Sequence, residues 1–230
     1  MDIRTVFRER LDRVEERIQA ACARSHRNRS DVTLIGVTKS VNTDVCRAVL
    51  DEGVFHLGES RPQQLWRKAR TIASPTVRWH LIGHLQRNKI EPTIQLTSLI
   101  HSIDSIRLLQ ALQDAQPTRS LEVLFEVNLS QEPNKHGFAV AELEALMGDL
   151  HRFPSIVPCG LMTMAAHHAD DATCRATFAR LKTLQQRFLP IVPSMLHLSM
   201  GMSDDFEQAI EEGATFIRLG SILFAGFPQD

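Results

Sequence analysis

The chain has 230 residues with 26 basic against 27 acidic side chains and a formal charge of −1, so neither a nucleic-acid footprint nor attraction to an anionic membrane is indicated. One large core fits that length and a second domain of ordinary size does not. Cys22, Cys46, Cys159 and Cys174 lack the spacing of zinc or redox motifs, no apolar leader precedes them and no apolar run reaches membrane-spanning length, which predicts a soluble cytoplasmic protein.

In chain order, Ile3, Val6, Phe7, Leu11, Val14, Ile18 and Ala21 recur at helical spacing and predict an amphipathic helix over residues 2–26. The run Thr33-Leu34-Ile35-Gly36-Val37-Thr38 then stops at Lys39, predicting a buried strand with the lysine where the chain leaves the core. An ammonium held at a low-dielectric mouth is pushed toward the neutral amine, the form that condenses with an aldehyde. A strand-end lysine reaching out to water is the plainer alternative. Asn42 or Thr43 caps a helix carrying Val45, Ala48, Val49 and Leu50, which closes near Gly53.

The alternation continues: strand 54–58, helix 61–72, strand 77–83, a short helical piece at 85–91, strand 98–103 and helix 104–115. Strand 121–128, helix 139–151, strand 156–162, helix 170–188, strand 195–199, helix 203–212 and strand 215–219 complete it. Eight strands alternating with helices predict a single (β/α)8 TIM barrel domain over residues 1–230. An open doubly wound sheet should carry a glycine fingerprint after its first strand, and none is present.

Barrel chemistry sits where strands end, which draws together Lys39, Gly58-Glu59-Ser60, His80, Gly83-His84, Ser102, Asp104, Asn128 and Met162-Thr163-Met164. Ser199-Met200-Gly201-Met202-Ser203 and Arg218-Leu219-Gly220-Ser221 close the ring. The first passes through Gly201 to a serine able to cap the next helix, and the second places a glycine in the loop after strand eight. Both suit a phosphate. An amine and a phosphate cradle on one rim match pyridoxal 5′-phosphate (PLP), which carries an aldehyde and a phosphate. Arg218 then either faces the pyridine nitrogen, which it leaves unprotonated, or pairs with a carboxylate such as Glu122 or Glu126. His80, His84 and His101 read as hydrogen-bonded structural residues. No metal site is predicted, because His80 and His84 do not share a helical face and His167 and His168 diverge.

Val37-Thr38-Lys39, Phe55-His56-Leu57-Gly58-Glu59, Trp79-His80-Leu81-Ile82-Gly83-His84-Leu85-Gln86-Arg87-Asn88-Lys89 and Ile100-His101-Ser102-Ile103-Asp104 occur in order. Gly160-Leu161-Met162-Thr163-Met164, Leu198-Ser199-Met200-Gly201-Met202-Ser203-Asp204-Asp205-Phe206 and Ile217-Arg218-Leu219-Gly220 follow. Together they resemble the YggS/PROSC family of pyridoxal phosphate homeostasis proteins. The resemblance implies a barrel like the N-terminal domain of alanine racemase, with PLP held on Lys39 as an internal aldimine. It also implies that Arg218 faces the ring nitrogen, that Ser199, Ser203, Gly220 and Ser221 surround the phosphate, and that Ser60, His80, Met162 and Gly201 belong to the same cofactor site. The role it implies is that of an intracellular PLP carrier or buffer without an established catalytic reaction, with apo PLP-dependent enzymes as partners. Ser60-Arg61 departs from the Asn that usually follows Gly-Glu in the family, and Lys135 matches a family loop lysine that suggests a secondary cofactor site. The competing reading is a PLP-dependent racemase or lyase. The chain has no tyrosine, the usual second base of two-base racemisation on this fold. No large apolar face is marked in the sequence, which predicts a monomer.

Overall fold

A computed structural model describes residues 2–129, 136–166 and 168–229. Helix α1 (Ile3–Arg24) precedes the barrel. The strands and helices then alternate as β1 (Thr33–Val37), α2 (Thr43–Asp51), β2 (His56–Glu59), α3 (Pro62–Ile72), β3 (Arg78–Leu81), α4 (Ile90–Leu96), β4 (Leu99–Ile103) and α5 (Ile106–Asp114). They continue as β5 (Leu121–Glu126), α6 (Val140–Asp149), β6 (Ile156–Met162), α7 (Asp171–Phe188), β7 (His197–Ser199), α8 (Phe206–Glu211), β8 (Phe216–Leu219) and α9 (Ser221–Phe224). The strands form a closed barrel in sequence order, all pairs parallel, with β1 sealed against β8 through Leu34↔Ile217 and Gly36↔Leu219.

Local chemistry explains where the elements differ from their sequence expectations. Helix α4 runs to Leu96, past the short piece expected at 85–91, because Pro92 falls in its first turn, where the missing N–H has no partner to lose. Helix α8 starts at Phe206, three residues after the expected Ser203. Asp205 precedes its first turn and accepts from the Met202 N–H at 2.6 Å, which leaves the Ser203 hydroxyl for another loop. In β6, Pro158 offers no N–H to the ladder, and the register with β5 shifts so that Val123 faces Pro158 and Leu124 faces Gly160.

The main core lies between the strands and the helix ring. A second cluster of Ile35, Leu99, Leu124, Met162 and Phe216 fills the barrel interior. Helix α1 packs on α2, α8 and α9 through Phe7, Val14 and Ile18, and Phe7 stacks on Phe224 with centroids 5.8 Å apart. Arg10 donates to the carbonyls of Leu223 and Ala225 at 2.9 and 2.8 Å. Arg24 pairs with Glu207 and Glu211 of α8. This helix therefore buttresses the segments that follow β7 and β8.

Candidate functional site

The C-terminal rim brings most of the expected residues together. Because Gly36 of β1 faces Leu219 of β8, Lys39 and the Gly220-Ser221 loop leave the same end of adjacent strands. Lys39 is exposed in the turn after β1 and is not enclosed by the mouth as the sequence reading required. The segment beneath it is firmly held: Thr38 Oγ1 donates to Glu59 Oε1 at 2.7 Å, and Lys68 Nζ donates to the same oxygen at 2.8 Å and to the Thr38 carbonyl at 2.6 Å. Thr38, Glu59 and Lys68 are all fully buried. Sequence reasoning noted Glu59 without a role and missed Lys68. Its signal was an ammonium on the apolar face of α3, three residues after Leu65 and beside Ala69, both buried.

Arg218 is 4% exposed and belongs to β8. Its guanidinium donates to Ser199 Oγ at 2.6 Å and to the Thr163 carbonyl at 3.1 Å. Burial lowers its pKa to about 10, which leaves it charged at neutral pH. Among the described residues it makes no ion pair with Glu122, which is exposed, or with Glu126. Asp205 and Glu126 act on its charge without a hydrogen bond to it, so these carboxylates are electrostatic neighbours of Arg218 and not bonded partners.

From Ser199 the hydrogen bonds continue down the barrel. His101 Nδ1 lies 2.8 Å from Ser199 Oγ, His80 Nδ1 2.8 Å from His101 Nε2, and His56 Nδ1 2.9 Å from His80 Nε2. Arginine only donates, so Ser199 Oγ accepts from Arg218 and its own hydrogen goes to His101. With neutral imidazoles the arrangement that satisfies every group then has His101 and His80 each protonated on Nε2. Burial, aided by the neighbouring histidines, holds His80 down at about 3 and His101 well below the usual imidazole range. Phe216 packs against His80, His101 and His197. His80 is therefore a member of an interior chain with both nitrogens already engaged.

The loops after β7 and β8 meet at Ser203, whose Oγ accepts from the Gly220 and Ile222 N–H groups at 3.3 Å each. Ser203, Ser221, Ile222, Asp204 and Arg17 line an open hollow of about 470 Å³. Gly201 adopts φ +91°, and a Cβ there would lie 2.5 Å from that of Ala209, so glycine is required for α8 to close on β7. Met162 is buried in the interior cluster and forms part of the floor. Ser60 is partly buried, and Gly83 packs so tightly on its backbone that a Cβ would collide with the Ser60 carbonyl. An oxygen already bonded by two backbone amides marks a position suited to a phosphate oxygen, and a charged buried donor at the end of β8 suits an aromatic nitrogen. The residues present therefore fit PLP. Lys135 lies outside the described residues.

Residues 10–228 match the family described as alanine racemase, N-terminal domain. The pyridoxal phosphate homeostasis protein of Aquifex aeolicus (strain VF5) is 37% identical over 222 residues, covering 94% of this chain and 96% of the relative. That of Pseudomonas aeruginosa is 34% identical over 218 residues, covering 94% of each. Among solved structures, an unknown protein from Bifidobacterium adolescentis superposes with TM-score 0.90 at 31% identity over 97% of both chains. PipY of Synechococcus elongatus PCC7942 with PLP bound superposes with TM-score 0.80 at 34% identity, over 92% of this chain and all of that one. A lysine/ornithine decarboxylase from Vibrio vulnificus, at 12% identity, TM-score 0.71 and 62% of its own length, shares the fold alone.

Proposed function

The chain belongs to the family of pyridoxal phosphate homeostasis proteins, and from that premise we propose that it binds PLP at the C-terminal mouth of its barrel and acts as an intracellular reserve of the cofactor. The observation that carries this reading is the common rim of Lys39, Arg218 and the Gly220-Ser221 loop on the paired strands β1 and β8. PLP supplies an aldehyde that condenses reversibly with a primary amine. Lys39 offers that amine from an exposed turn open to exchange with incoming molecules. Ser203 and Ser221 would hold the phosphate, with the N–H groups of Gly220 and Ile222 that donate to Ser203 Oγ turning to it when it binds, and Ser199, Gly201, Ser60 and Met162 shape the surroundings. Arg218 would hold the ring nitrogen as a donor that keeps its own proton, a poor arrangement for drawing electrons into the ring. His80 acts at a distance, through His101 and Ser199.

We assign no catalytic turnover. The chain has no tyrosine, so two-base racemisation lacks its usual second base. We further propose one domain over residues 1–230, a monomer that passes PLP to apo PLP-dependent enzymes, and a cytoplasmic location. Cys22, Cys46, Cys159 and Cys174 are free thiols. No helix among the described residues is long and apolar enough to cross a membrane.

The test is a visible spectrum of purified protein before and after borohydride. A yellow species is expected, with one cofactor-sized mass increment fixed on Lys39 and lost in Lys39→Ala. A stoichiometric increment in Lys39→Ala would assign the wrong lysine. A colourless protein that takes up no added PLP would end the reading. Turnover of any single amino acid at about 1 per second or faster would replace the reserve by an enzyme.

A further inference from the structure

Three loops on the arc of the mouth opposite β7 and β8 converge on one carboxylate. His84 follows β3, Asp104 follows β4, and His136 lies beyond β5. His84 Nδ1 is 2.9 Å and His136 Nδ1 3.5 Å from Asp104 Oδ2, and the three candidate ligand atoms lie within 4.8 Å of one another. The two imidazoles stack with centroids 4.7 Å apart and planes 24° from parallel. We propose that His84, Asp104 and His136 form a binding site for a divalent transition-metal ion of the zinc class.

The geometry and the donor set agree. A tetrahedral zinc ion with bonds of about 2.0–2.1 Å has ligand-to-ligand edges of about 3.3–3.4 Å; the two Asp104 distances fall on either side of that value, and the three atoms lie within 4.8 Å of one another, so the exposed imidazoles turn inward to close on an ion. Two imidazoles and one carboxylate favour zinc-like ions over magnesium or calcium, which prefer all-oxygen sets. Three protein ligands leave a fourth position for water or for a donor group of a molecule in the mouth.

The surroundings hold the ligands in place. Ser105 Oγ donates to Asp104 Oδ1 at 3.0 Å, which turns Oδ2 toward the histidines, and the same serine caps α5 at the Leu108 N–H. The His84 loop is fixed by Ser102 Oγ, which donates to the Gly83 carbonyl at 2.7 Å, and by the close packing of Gly83 on Ser60. The Asp104 side chain is 8% exposed, whereas those of His84 and His136 are 46% and 64% exposed, so a buried anchor carries two accessible imidazoles. Glu126 is a second buried carboxyl whose charge acts on Asp104.

The plain alternative is a histidine–carboxylate pair without a metal, and titration separates the two. Tag-free protein stripped of PLP is titrated with Zn²⁺ in competition with a chromogenic chelator. One equivalent is expected to bind with a Kd of about 1 μM or tighter. His136→Ala and Asp104→Asn should each weaken it more than about tenfold, while His151→Ala, at an exposed histidine away from the mouth, leaves it unchanged. His136 is exposed, so His136→Ala keeps the fold, checked by circular dichroism. Co²⁺ in place of zinc should show the visible bands of a four-coordinate site. Absence of stoichiometric binding, or binding that survives both ligand variants, overturns the proposal. Lys39→Ala should bind Zn²⁺ as the parent does, so failure of the PLP reading and failure of this one are distinguishable.

Discussion

Arg218 has two partners, Ser199 Oγ and the Thr163 carbonyl, that only a planar fork reaches together. Arg218→Lys keeps the charge but spans one partner at most, and PLP affinity is expected to fall about tenfold, the loss of roughly one hydrogen bond. A spectroscopic PLP titration reads this, and unchanged affinity would remove Arg218 from the site. Lys68 presents the opposite problem, a cation wholly inside. Lys68→Met leaves the buried Glu59 without its cation and with Oε2 already unpartnered, and should cost about 3–5 kcal/mol in urea unfolding. Adding Glu59→Gln should restore part of that loss. The position of Arg218 at the end of strand eight was legible from the chain, because the glycine that follows Leu219 marks where the strand stops. The partner of Lys68 was not, since nine residues and a turn separate it from Glu59.

Among the elements, β6 carries the tightest constraint. Pro158 withholds an N–H from the ladder and the register shifts after it, Gly160 takes φ +158°, and a Cβ there would collide with the His197 carbonyl of β7. Gly160→Ala should therefore cost about 3 kcal/mol or more, read as a lowered urea midpoint with unchanged m, because neither backbone can retreat within a closed barrel. A cost below about 1 kcal/mol would show that the β6–β7 seam yields. Strand and helix existence followed from apolar periodicity. The start of α8 did not, because Ser203 reads as a cap from the sequence while its hydroxyl in fact bonds to the loop after β8, and Asp205, which precedes the helix, accepts from the Met202 N–H and caps nothing with its side chain.

For the molecule as a whole, the buried histidines govern the response to acid. His80 and His101 are neutral when folded and take up protons when unfolded, so stability is complete above about pH 6.5 and falls as pH drops toward 3, by about 1.4 kcal/mol per pH unit for each proton taken up. Glu126 acts in the opposite sense. Its raised pKa stabilises the folded state below about 4.5, and that contribution is lost as pH rises through 7. Between pH 7 and 5 the two effects partly offset each other, and the histidines prevail because His56 and His197 are also lowered by burial and act with His80 and His101. Urea unfolding in Glu126→Gln should accordingly show a steeper loss over that interval than the parent. An equal or shallower loss would mean that Glu126 is ionised in the folded state.

The amino-acid sequence alone determined the eight-strand alternation, the lysine after the first strand, and the glycine and serine loops after the last two. Each depends on local periodicity or on neighbouring residues. Only the tertiary structure decided that Lys68 lies beneath Lys39, that His56, His80 and His101 link through Ser199 to Arg218, and that His84 meets Asp104 and His136. Barrel closure makes those contacts by setting the stagger of strands distant in the chain, and the stagger depends on packing around the whole ring, not on any one segment.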